Sequence, residues 1–451
     1  MLDTATMTSA GAVQQRLDKG GLRAIQIRVF VLCTLVTMLD GIDNQSIGVV
    51  APLMSRDLGL DKTALGSIFS VTQVGATIGA LLFGVVGDRF GRKLAIIFCV
   101  SMMTVFTLLT AIVPTFELLM ISRFFAGVGL AGVFSSALSL TSEFAPSRLR
   151  GTMVSIVYAG YPAGAALGGI MSAAILTTHD WRTVLYIAVS IGLVILILLI
   201  GWLPESIRYL VAKGGRAKAL DRLLGQLGLG RANLADLADV GTSPPTAGTA
   251  SGFWSVFSNG LAPLTLLLCA VNLFISATTK IMVVWFPTML TEHGFTVSHA
   301  ALAQAAFNIG CLTIMIIAGW LVDRFGPLRV VAPALAFGGV CVAALGQAGT
   351  SLALVMIDAA LIGVFVGTGA AGAQAMAARL FPVPVRSTGI GWCTSSARFG
   401  QVLSPMVIAI VLSGGTNIAY VYAGLAFAPW LAAAFAVFFV LVARRDGRKG
   451  F

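Results

Sequence analysis

The sequence predicts an all-α integral membrane protein with twelve transmembrane helices in two pseudo-symmetric six-helix bundles. Composition, the rhythm of apolar runs and a motif that occurs twice carry that expectation. Of 451 residues, 57% are hydrophobic and 10% charged, and the mean hydropathy is +0.94. Water-soluble domains do not reach such values, so the chain needs lipid as its solvent. Apolar runs of membrane-crossing length fall near 28–50, 63–86, 94–112, 116–140, 152–176, 183–203, 262–286, 299–322, 328–347, 352–377, 388–412 and 419–442.

Taken in order, residues 1–27 carry Arg16, Lys19 and Arg23 among polar residues, with no apolar core that ends in a cleavage site. They read as a cytoplasmic segment ahead of an uncleaved first span. The N-terminal bundle takes 28–203. Residues 204–260 form a central loop, opening with a basic amphipathic helix suited to a membrane surface and closing with the flexible GTSPPTAGTASG. The C-terminal bundle takes 261–442, and 443–451 is a cytoplasmic tail. Net charge is +11, and 23 of the 29 Lys and Arg fall on the side holding both termini. The positive-inside rule then puts both ends in the cytoplasm of a bacterial-type inner membrane. The basic excess marks topology and excludes nucleic acid as a partner.

Charge within the spans is rare, because a charged group at mid-bilayer costs about 3 kcal/mol even on lenient scales. Asp40 and Asp43 lie in the run FVLCTLVTMLDGIDNQSIGVVA. Three residues apart on one helical face, they are the candidate proton-coupling pair. At 1.5 Å rise per residue, Asp40 and Arg123 each come to about 18 Å above the inner edge, Arg398 to about 16 Å and Asp358 to about 20 Å. Four helices thus place ionisable groups in one layer. Lys280 falls near the outer end of its span and reads as snorkelling to the interface.

The halves read as copies. GVVGDRFG at 84–91 recurs as GWLVDRFG at 319–326, an offset of 235 residues. Pro146-Ser-Arg-Leu-Arg150-Gly-Thr152 is echoed by Pro382-Val-Pro-Val-Arg386-Ser-Thr388 at an offset of 236. Arg123 and Asp358 occupy one slot with opposite charges, whereas Asp40 and Asp43 map to Ser276 and Thr279. Two six-helix halves around a central site are a recurring transporter plan.

On these residues the chain resembles the major facilitator superfamily. Gly84-Val-Val-Gly-Asp88-Arg89-Phe-Gly91-Arg92-Lys93 fits the family's loop pattern G-x-x-x-D-R-x-G-R-K. Arg123 with Gly127 is similar to its fourth-helix motif, and Pro204-Glu205-Ser206 to its entry into the central loop. The resemblance implies the fold above and a gating loop. There Asp88 caps a helix while Arg89, Arg92 and Lys93 bridge to acids such as Glu143, with Asp323, Arg324 and Arg386 as the second copy. Asp40-Gly41-Ile42-Asp43, Trp285-Phe286-Pro287 and Arg398-Phe399-Gly400 resemble segments of the aromatic acid:proton symporter branch. Gly160-Tyr-Pro162-Ala-Gly164-Ala-Ala-Leu-Gly168-Gly169 is loosely similar to a drug:proton antiporter pattern, with close helix packing as the plainer reading.

The mechanism this implies is import of an aromatic carboxylate with a proton. Asp40 and Asp43 carry the proton, and Arg123 or Arg398 grips the carboxylate through paired N–H donors. Asp358 shares the layer, and Trp285, Phe286, Trp392 and Phe399 pack on the ring. The proton gradient supplies the energy, with no cofactor, and one chain holds a complete pathway. A proton-coupled drug or metabolite exporter is the alternative within the superfamily. A non-transporting membrane receptor or scaffold is the alternative from another class.

Other signals point away from enzymes. Gly127-Val-Gly129-Leu-Ala-Gly132 spells G-x-G-x-x-G but follows no strand. The six cysteines sit in apolar spans without metal-ligand spacing, and the three histidines do not cluster. No phosphate-binding loop or nucleophile-base arrangement is readable.

Overall fold

The computed structural model describes residues 22–213, 217–227, 255–257, 260–347, 349, 351–382 and 385–445. Most of the leader, the GTSPPTAGTASG linker and the end of the tail lie outside them. The N-terminal half comprises α1 (Ala24–Asp57), α2 (Lys62–Phe90), α3 (Arg92–Ile112), α4 (Phe116–Phe144), α5 (Arg150–Ile175) and α6 (Trp181–Trp202). The described part of the central loop holds α7 (Ile207–Lys213), α8 (Ala217–Gln226) and a 3₁₀ turn at Ser255–Phe257. The C-terminal half comprises α9 (Ala262–Val284), α10 (Phe286–Glu292), α11 (Val297–Phe325), α12 (Pro327–Leu345), α13 (Leu352–Leu380), α14 (Arg386–Ser413) and α15 (Ile418–Arg445). Eleven helices are long and apolar enough to cross a membrane, and Arg329–Leu345 in α12 supplies a shorter one.

Local chemistry sets the breaks. Asp61, Asp180 and Thr296 cap α2, α6 and α11 by accepting from their first backbone N–H groups. The seventh span is broken at Trp285, where Pro287 near the start of α10 cannot continue the hydrogen-bond ladder. The loop motifs turn at Gly91 (φ 105°) and Gly326 (φ 83°), a backbone that residues with a Cβ rarely adopt. Both share ψ 147°, so the repeat read in the sequence is a repeat of conformation.

Packing repeats too: α2 lies on α4 as α11 lies on α13, and α1 lies on α5 as α9 lies on α14. The halves join through α5 against α11 and α2 against α14. Close glycine contacts carry this packing within and between the halves. A Cβ on Gly160, Gly164 or Gly168 would strike Thr37, Met38 or Ile42 of α1, and one on Gly169 would strike Ala301 and Ala305 of α11. Packing therefore accounts for the glycine-rich fifth span. The same holds for Gly127, Gly129 and Gly132, which press on Thr72, Cys99 and Phe83.

Candidate functional site

The side bearing the long central connection is called here the connection side, and its opposite the far side. Among the described residues, several polar contacts tie half to half at mid-depth and on the far side. Lys62 donates to Leu412 O at 3.2 Å and pairs with Glu292 at 2.8 Å. Ser298 donates to Ala173 O at 2.6 Å, and Gly48 and Gly66 press on Val283 and Ala409. Trp285 and Phe286 are 0% exposed. The Trp285 indole donates to Pro405 O at 3.0 Å and meets Phe69 edge-on at 5.5 Å. These two aromatics, expected to line the substrate site, are consumed in the far-side seal, because the helix break turns them into the joint between halves.

Toward the connection side the halves part. The α14 stripe that meets α2 at Pro405 and Ala409 continues through Arg398, half-buried, to Thr394, Ser395 and Gly391, all exposed. On α5, Thr152, Ser155 and Tyr158 are exposed as well. Polar faces on helices that seal elsewhere line an aqueous cleft. The described ties between the halves thus lie at mid-depth and on the far side, while these stripes of α5 and α14 are exposed toward the connection side.

At the roof of this cleft α1 presents Asp40, Asn44 and Gly48, four residues apart and so on one stripe. Asn44 Nδ2 donates to Asp40 Oδ1 at 3.1 Å, and Lys280 Nζ donates to Asn44 Oδ1 at 3.0 Å. Asp40 is thus linked through one amide to a lysine of the other half. Lys280 is 8% exposed. It does not snorkel, because its ammonium is buried against Asn44 of α1. Arg398 and Tyr161 stand within electrostatic range of Asp40, and Tyr158 within range of Arg398. Gln45 accepts from Asn308 at 2.9 Å across the same joint, while Gln45 Nε2 and both amide atoms of Gln304 are buried without partners.

Asp43 points elsewhere. It accepts from Thr107 at 2.5 Å and pairs with Arg123 at 3.3 Å, with Arg123 0% exposed inside the N-terminal half. A small cavity beside it is lined by Leu39, Met103, Thr104 and Thr107. Arg123 was expected to hold substrate opposite a carboxylate pair. The pair instead divides, since a three-residue step turns Asp43 about 60° away from Asp40, and Arg123 serves as its counter-ion. Nε and Nη1 of Arg123 remain unpartnered.

Three further expectations are corrected. Asp358 faces Cys341 of α12 and leaves the cleft. Phe399 is 58% exposed on a stripe with Leu403, Val407 and Ile410, the apolar surface a membrane covers. Trp392 packs edge-on to Phe257 at 5.0 Å beneath the central loop. All three share the depth of the layer or its neighbourhood, and helix rotation decides their direction.

The gating loop is stapled within one half. Arg92 pairs with Asp88, Lys93 N donates to Glu205 Oε1 at 3.0 Å, and Ser206 donates to Glu143 at 2.5 Å. The Glu205 carboxylate fills the space where a Gly91 Cβ would stand, while Gly84 has open space around it. Arg89 lies over Phe90. In the second copy Arg324 lies over Trp320, and Arg386 Nε donates to Phe381 O at 3.2 Å. The Asp323 side chain is outside the described residues. Sequence reasoning missed Asn44, Gln45, Lys280, Gln304 and Asn308. The polar run Asp43-Asn44-Gln45-Ser46 in an apolar helix was the available signal.

Two bundles hinged around charged groups at mid-depth are the build of a membrane transporter. The family described as Major Facilitator Superfamily matches residues 33–278 and 266–451, and the chain belongs to it. Its relatives place it on the aromatic acid transporter branch. It is 30% identical over 446 residues to the 4-hydroxybenzoate transporter PcaK of Acinetobacter baylyi, covering 98% of this chain and 97% of that one. It is 31% identical to the gallate transporter of Pseudomonas putida, covering 94% of each. It is also 31% identical to the 3-(3-hydroxy-phenyl)propionate transporter of Escherichia coli, covering 92% and 94%. An inward-open structure of the xylose transporter XylE from E. coli superposes with TM-score 0.73 at 17% identity, covering 92% and 96%. It is a multi-pass membrane transporter and not an enzyme.

Proposed function

We propose that the protein imports an aromatic carboxylate, such as a hydroxybenzoate or hydroxyphenylpropionate, together with a proton across a bacterial-type inner membrane. The observation that carries this reading is Asp40 at the roof of the open cleft, joined through Asn44 to a cation of the other half. A carboxylate placed between two halves that must separate can report its protonation to both. The positive-inside rule assigns the connection side to the cytoplasm, so the cleft opens inward. Arg398 and Tyr158 border that cleft and suit an anionic acid with a ring. Asp43, held by Arg123 and Thr107, keeps α1 locked to α3 and α4. The names of the relatives support the substrate class. Alternating access then consists of breaking the far-side seal and closing the cleft, with the proton gradient as the energy source and one chain as the working unit.

Purified protein in proteoliposomes tests this with radiolabelled 4-hydroxybenzoate. An inward-directed proton gradient should drive uptake above the equilibrium level, and a protonophore should abolish the excess. Extrusion under the same gradient would identify an exporter, and ligand binding without flux would identify a receptor.

A further inference from the structure

Building on that functional reading, we propose that Lys280 is the anchor for the substrate carboxylate, with Asn44 occupying it while the site is empty. An ammonium offers three donors, yet among the described residues Lys280 makes one hydrogen bond, to a neutral amide oxygen. No carboxylate pairs with it there, although it is buried at the joint of the two halves. A buried cation with no carboxylate in direct contact, its acid Asp40 held one amide away, is costly and suits a place where an anion arrives.

The charge inventory agrees. Arg123 is answered by Asp43 inside the N-terminal half. Asp40, Lys280 and Arg398 remain near the cleft, all within electrostatic range of one another. Together they carry a surplus of one positive charge, which one monoanionic acid neutralises. Protonating Asp40 raises the surplus to two and strengthens anion binding. By reciprocity the bound anion favours the proton. Lys280 also lies five residues before the Trp285 break. A carboxylate that draws it off Asn44 therefore loosens a tie between the halves where the seal must open.

The experiment compares 4-hydroxybenzoate with its uncharged counterpart 4-hydroxybenzamide by thermal-shift titration of the purified protein. Wild type should bind the acid at least about tenfold more tightly than the amide. Lys280→Gln keeps a donor for Asn44 but no charge. It should melt near wild type without ligand and bind the two probes within about twofold of each other. Lys280→Arg should restore the preference for the acid. Undiminished acid preference in Lys280→Gln would overturn the assignment, as would a wild-type protein that binds acid and amide alike. If the Gln variant does not fold, Lys280→Met gives the same readout. A wild type that binds neither probe nor any other aromatic acid would instead remove the functional reading on which the proposal rests.

Discussion

The two halves use one backbone for two kinds of chemistry. In the N-terminal half, charged groups are tied internally: Asp43 with Arg123 and Thr107 within the bundle, Lys93 and Glu143 with the Glu205-Ser206 segment at the loop. In the C-terminal half the corresponding slots are looser. Asp358 turns to α12, and Gly326 has open space where Gly91 meets a carboxylate. That half contributes Lys280 and Arg398 to the joint, where, among the described residues, Lys280 bonds to the facing half. Duplication thus gives a rigid half that holds the acids and a half whose cations are available to a guest.

Asp40→Asn should strike hardest, because it removes the titrating group at the joint. Uphill accumulation of 4-hydroxybenzoate should fall to the equilibrium level, while counterflow exchange of unlabelled for labelled acid continues. Accumulation at the wild-type level would show that the proton is carried elsewhere.

Next in size, Arg123→Leu leaves Asp43 buried without its counter-ion and should destabilise the protein by about 3–5 kcal/mol. Arg123→Leu combined with Asp43→Leu should recover most of that loss. Thermal unfolding in detergent measures both. Equal damage from the single and double variants would contradict a self-contained pair in the N-terminal half.

Gly91→Ala and Gly326→Ala sharpen the contrast between the loops. Each forces a Cβ into a region costing about 1–3 kcal/mol. Only Gly91→Ala also collides with Glu205, so it should lose more stability. Equal losses would mean that the Glu205 staple adds nothing.

The smallest effect belongs to Lys62→Ala on the far side. Its ion pair with Glu292 is about one-third exposed on either side chain, and such pairs contribute roughly 0.2–1 kcal/mol. The far-side-open population should rise by no more than about fivefold, read by far-side accessibility of a cysteine placed at Ser298. A wholesale switch to the far-side-open form would show that this bridge, and not Trp285 and the glycine contacts, holds the seal.

Sequence by itself determined the helical membrane-spanning class, the spans and the duplicated loop motif. Each follows from quantities additive along the chain: apolar length, rise per residue and motif spacing. It singled out Asp40 and Arg398, which the structure brings within electrostatic range of each other. It did not determine which way Asp43, Asp358, Phe399 or Lys280 points. A residue is worth 1.5 Å of depth but about 100° of rotation, so an error of one position barely alters depth while it turns a side chain from cleft to lipid. The burial of Lys280 against Asn44 arises from a contact between residues more than 200 positions apart. This the folded structure alone decided, because a buried ammonium is tolerated only where a second half closes over it and supplies its partner.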